Sequence, residues 1–171
     1  MSREPLSSRL LIGAIAGFVA TAAMTAAMRR MHGLLPPAER YPLPPREITE
    51  TIFAPASEAG AEDLSLAAHF AFGAAAGALL TATDADVPVR RGIVGGLALW
   101  TASYFGWVPA VGILTPAHRH PLRRNALMVA AHLVWGAVAA LTAQELVHSR
   151  DSVVKDGPLR DRPATVRRRR A

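Results

Sequence analysis

Cysteine is absent from this chain of 171 residues, which excludes disulfide frameworks, thiolate metal sites, cysteine nucleophiles and iron-sulfur clusters together. Aromatic residues are scarce, at 6%, so the basic balance of +6 comes without the interleaved rings that stack on nucleic-acid bases, and no nucleic-acid partner is expected. No glycine-rich phosphate loop, nucleophile elbow or zinc-protease helix motif occurs. Charge is also missing from the middle of every long apolar stretch. What remains is a chain that is 51% apolar and rich in Ala, with its charged residues gathered at the ends and in short connections. That composition excludes a disordered chain and disfavours an ordinary soluble domain.

A hydrocarbon core of about 30 Å needs on the order of 20 apolar residues in helical form. Four stretches meet that length: 10–28, 64–82, 93–114 and 126–147. A soluble bundle would show a polar face every turn, but 10–28 offers only Thr21 and Thr25, and 93–114 only Thr101, Ser103 and Tyr104. The expected fold is therefore all-α, a polytopic bundle of four transmembrane helices. Arg3 and Arg9 ahead of the first run also resemble the start of a secretory signal, but the run continues into Met24 and Met28, which favours an uncleaved first helix.

Four crossings place both termini on one side. That side holds 12 basic residues, among them Arg3, Arg9, Arg90, Arg91 and Arg167 to Arg170, against 7 on the other, among them Arg46, Arg123 and Arg124. The count predicts cytoplasmic termini. Residues 1–148 form the membrane domain in this reading. Residues 149–171 form a disordered basic tail that anchors topology and can attract anionic headgroups. The lipid bilayer is the expected partner, and protein partners are not indicated.

In lipid, helices associate through small residues that let backbones approach. Gly13 and Gly17, Gly73 and Gly77, and Gly92 and Gly96 each lie four apart on one helix face. The first two stretches also share a Gly-Ala, Ala-Gly, Thr-Ala order sixty residues apart, which either chance in a low-complexity chain or an internal duplication would produce.

Polar groups inside a membrane are expensive, which singles out His69 and His132. His132 shares a stripe with Asn125, Met128, Trp135, Ala139 and Thr142. Trp100, Tyr104, Trp107 and Val111 form a facing aromatic stripe. The candidate intramembrane site is thus His69, His132, Trp107 and Trp135. Its plain reading is two neutral histidines satisfied by hydroxyl or backbone groups; its sharper reading is a proton-responsive site. Two lone histidines on different helices make a poor haem pair, and no cofactor is expected. Pro109 should remove a helical bond from the third stretch, kink it and free a carbonyl near Trp107.

The first external connection carries the most distinctive string, Pro42-Leu43-Pro44-Pro45-Arg46-Glu47. Pro45 can open a helix with Glu47 in its first turn, and Ile48, Ile52 and Phe53 would share its apolar face, giving a short interfacial helix over the external mouth. Pro44, Pro45, Arg46 and Glu47 are the second candidate site. Arg46 could hold an anionic headgroup or simply pair with Glu50. His118 and His120 lack a local carboxylate and read as surface histidines, so no metal is expected.

Pro42 to Arg46 after the first stretch, His69 with its small-residue stripe, Leu114-Thr115-Pro116, and His132-Leu133-Val134-Trp135 together resemble the YagU-like family of bacterial inner-membrane proteins. The resemblance covers about Arg9 to Val147. It implies inner-membrane architecture and a role in acid or envelope stress, and brings no catalytic residues. The expectation is an integral membrane protein without enzymatic activity; the alternative is a small transporter or proton-responsive channel working through the intramembrane histidines.

Overall fold

The computed structural model describes residues 4–154 and is all-helical, without a strand among the described residues. Helix α1 (Leu6–His32) begins directly after Pro5 and carries Arg29 and Arg30 in its last turn, cations that suit the negative end of the helix dipole. Helix α2 (Pro44–Phe53) starts at Pro44, one residue before the expected Pro45, with Glu47 in its first turn. Helix α3 (Glu58–Thr81) is capped by Ser57, whose hydroxyl accepts the Gly60 N–H at 3.1 Å. Helix α4 (Val89–Thr101) runs into a π-turn (Ala102–Trp107) and a single turn, α5 (Val108–Ala110). Helix α6 (Leu122–Ser152) closes the order.

Three helices are long and apolar enough to cross a membrane: Leu6–His32, Glu58–Thr81 and Leu122–Arg150. Their outer faces carry Leu11, Phe18, Leu66, Leu79 and Leu141 exposed, an apolar surface compatible with a hydrocarbon surrounding.

The third expected span, 93–114, is not one continuous helix. Its ladder breaks at Gly106, whose φ of −107° and ψ of −111° lie outside the helical region. Pro109 is not the cause; it sits in the first turn of α5, where the N–H that proline lacks is not needed. The carbonyl of Trp107 is not freed either, since the Val111 N–H donates to it at 3.1 Å. One extra residue in the π-turn rotates the next turn of the chain by about 100°. Val111 of the expected aromatic stripe is accordingly turned out, at 63% exposure, while Val108, four residues after Tyr104, stays inside with it, at 1%.

Two glycine seams join the helices. Methyl groups added at Gly13 or Gly17 would strike the carbonyls of Gly77 or Gly73, and the converse holds for Gly77 and Gly13. Thr81 lies against Gly13 and Thr21 against Gly73, so the matching Gly-x3-Gly-x3-Thr runs of α1 and α3 meet antiparallel about a local two-fold. In the second seam Gly92 and Gly96 of α4 meet Gly136 and the His132 carbonyl of α6. Helix α1 also packs along α6, while α3 and α4 barely touch.

Polar contacts tie the two ends. At one, Arg9 donates to the Thr83 carbonyl at 2.7 Å, Thr81 donates to the Arg9 carbonyl at 2.8 Å, and Arg150 pairs with Glu4 at 3.0 Å and bonds Ser8. Arg150 lies in the last turn of α6, which continues to Ser152, past the expected boundary at residue 148. The rest of the expected tail, residues 155–171, lies outside the described residues.

Candidate functional site: an interior cavity beneath α2

Where α3 and α4 part, a cavity of about 240 Å³ remains. Helix α1 contributes Thr21 and Met24, α3 contributes Ala68, His69, Phe72 and Gly73, and α6 contributes Met128, His132 and Trp135. Leu99 and the π-turn residues Ser103, Tyr104 and Trp107 close a third side. Helix α2 lies across one end through Pro44, Pro45, Ile48, Thr49, Ile52 and Phe53. The structure thus brings all four residues of the candidate intramembrane site, His69, His132, Trp107 and Trp135, to one cavity, with Pro44 and Pro45 of the second candidate site at its roof.

The histidines differ in how they are held. His132 is buried, and its Nδ1–H donates to the Met128 carbonyl at 2.7 Å. His69 is half-buried, and its Nε2 is enclosed without a hydrogen-bond partner. His132 thus has the backbone partner that the plain expectation asks for, while no protein group bonds His69 Nε2. Trp135 Nε1–H donates to Thr21 Oγ1 at 3.2 Å, and that hydroxyl gives its own proton to the Gly17 carbonyl at 2.7 Å. Trp107 is less buried, with its Nε1–H on Ser103 Oγ at 3.3 Å.

Ile52, Phe53, Phe72 and Trp107 line the cavity and are also exposed outside. Phe72 and Trp107 face each other at 6.3 Å between ring centroids. The cavity therefore has a mouth between the end of α2, α3 and the π-turn, framed by apolar side chains. On the far side of His69 and Pro45 lies an open cleft of about 550 Å³, lined by Arg29, His32, Arg46, Glu50, Glu58 and Glu62. His69 and Pro45 line both spaces.

Arg46 does not reach the cavity. Its guanidinium bonds Glu50 and Glu58, each at 2.7 Å, and tethers α2 to the start of α3. The Glu58 hydrogen bond, then that of Glu50, raises its pKa further, so it stays a cation throughout the accessible range. Glu47 lies instead beside Tyr104 and Arg124. His120 Nε2 is engaged by Thr115, 2.9 Å from its carbonyl, and the His118 ring stacks on Phe105. Among the described residues no group of three metal-ligating side chains forms.

No protein-family model matches the chain, and no curated protein or solved structure matches it either.

One residue that shapes the site escaped sequence reasoning. Arg124 is only 5% exposed, and its partners are the carbonyls of Glu39 at 2.8 Å, Tyr41 at 2.9 Å and Pro42 at 2.8 Å, with the Tyr41 ring 3.5 Å from its guanidinium carbon. It fixes the connection that leads into α2 and so positions the roof. The available signal was proline. Pro36, Pro37, Pro42, Pro44 and Pro45 lack N–H groups, so this connection has more acceptors than donors and needs a donor from elsewhere.

Proposed function

We propose that the chain is a non-enzymatic integral membrane protein whose interior cavity binds a small, mainly apolar molecule taken from the surrounding lipid. The observation that carries this reading is the cavity with its apolar mouth between Phe72 and Trp107 and its two imidazoles within. Such a space, walled mostly by apolar groups with few polar ones, is the common form of a small-molecule site. The polar lining consists of hydroxyls, imidazoles and indoles, with no carboxylate or lysine to serve as an acid-base partner.

In this proposal the interrupted stretch from α4 through α5 also crosses, as the third of four crossings that form a bundle. Its backbone breaks where it borders the cavity, the place where irregular backbone is tolerated at membrane depth. The excess of basic residues on the side of the termini supports cytoplasmic termini in a bacterial inner membrane. The resemblance to YagU-like proteins supports a role in acid or envelope stress.

The test is quenching of tryptophan fluorescence in nanodiscs by bromobenzene. Trp107 and Trp135 should quench saturably, and Ala68→Phe, which fills the cavity, should remove the saturable part. Quenching that grows linearly and matches the variant would contradict a binding cavity.

A second reading, a small transporter or proton-responsive channel, is favoured by one observation: His69 borders both the cavity and the charged cleft. It predicts flux of protons or small anions into proteoliposomes above empty vesicles, reduced by His69→Phe. Flux equal to that of empty vesicles across a pH range counts against it.

A further inference from the structure

The cavity's free polar groups select among apolar guests. This inference rests on the binding reading above and names the class of guest. A carbonyl can only accept, so the bond from His132 to Met128 fixes the proton on Nδ1 and leaves Nε2 of the neutral ring with a lone pair. His69 Nε2 is enclosed by protein and so lies out of a guest's reach. The hydroxyl of Thr21 is already engaged on both sides by Gly17 and Trp135, and Ser103 accepts from Trp107. The lone pair on His132 Nε2 is therefore the acceptor that a guest must satisfy.

A charged guest finds no counter-charge, because no Asp, Glu, Lys or Arg lines the cavity. A ketone or ether accepts but cannot donate to His132. A hydroxyl donates. The volume of about 240 Å³ also sets a size: by comparison with an apolar cavity that holds benzene, there is room for on the order of ten non-hydrogen atoms.

We infer that the cavity takes a neutral lipophilic alcohol or phenol, its O–H donating to His132 Nε2. The guest's apolar part lies against Leu99, Val108 and Met128. Any longer chain leaves through the mouth between Phe72 and Trp107 into lipid.

The experiment titrates the full chain in nanodiscs with para-bromophenylethanol, its methyl ether and para-bromoethylbenzene, reading tryptophan quenching against protein-free nanodiscs for partitioning. The alcohol should bind at least about tenfold more tightly than the ether, the discrimination expected when one buried hydrogen bond is lost. His132→Phe should erase that preference while leaving the hydrocarbon bound. Equal saturable binding of all three probes would overturn the hydroxyl selectivity and leave the cavity reading standing. No saturable quenching by any of them would overturn both. If His132→Phe does not fold, the comparison of alcohol with ether on the native chain still decides.

Discussion

Helices α1 and α3 meet in two different ways along their shared length. Toward Thr81 they touch backbone to backbone, with Gly13 and Gly17 against Gly73 and Gly77. Toward Tyr104 the same helices present Thr21, Met24, Ala68, His69 and Phe72 to a cavity. Residue size makes the difference. Apolar burial gives little reason for helices to associate in lipid, so the glycine seam supplies close packing where it occurs, and bulkier side chains hold the backbones apart where it stops. One end is closely packed, and the other keeps a cavity.

The sharpest way to break this contrast is to spoil the cohesive end. Gly77→Leu places a side chain into the Gly13 and Gly17 backbones and should cost about 3 kcal/mol or more, read as loss of a monodisperse folded species and of the thermal transition in detergent. An unchanged transition would show that the seam does not hold the helices together. Arg124→Met should cost about 2–3 kcal/mol by stranding the carbonyls of Glu39, Tyr41 and Pro42, with the loss visible in chemical denaturation. Trp135→Phe removes one hydrogen bond to Thr21 and should cost about 1 kcal/mol in the same measurement.

The open end should respond differently. Ala68→Phe fills space rather than forcing backbones apart, so the thermal midpoint should hold or rise while probe binding is lost. A large drop in midpoint would mean the space is not free. The smallest effect belongs to Arg46→Gln, whose pairs with Glu50 and Glu58 are on the surface. The midpoint should stay put while amide exchange quickens across Pro44–Phe53, and unchanged exchange would show that the pairs do not hold the roof.

The long helices were legible because an apolar run flanked by Arg or acidic residues is a strong signal in itself. Observed ends extend beyond the expected ones, Leu6–His32 against 10–28, since a helix continues past its apolar part into residues such as Arg29 and Arg30. Helix α2 was legible from its prolines and Glu47. The break at Gly106 was not, because Pro109 nearby carries the stronger local signal and glycine inside an apolar run reads equally well as a packing residue. Gly136 was missed as the partner of Gly92 and Gly96 because it has no second glycine four residues away; its neighbour there is Ala140. The meeting of His69 and Pro45 with His132 at one cavity depends on how α2 folds back over α3, which spacing along the chain does not encode. Arg124 was counted as a charge beside a span, since its role depends on a connection more than eighty residues away.

The most direct test of the binding reading is native mass spectrometry of the chain released from membranes of its own host, beside Ala68→Phe prepared in the same way. A binding cavity predicts a stoichiometric small neutral molecule on the native chain that is absent from the variant. A native chain carrying only bulk phospholipid, with the same occupancy as the variant, would contradict it.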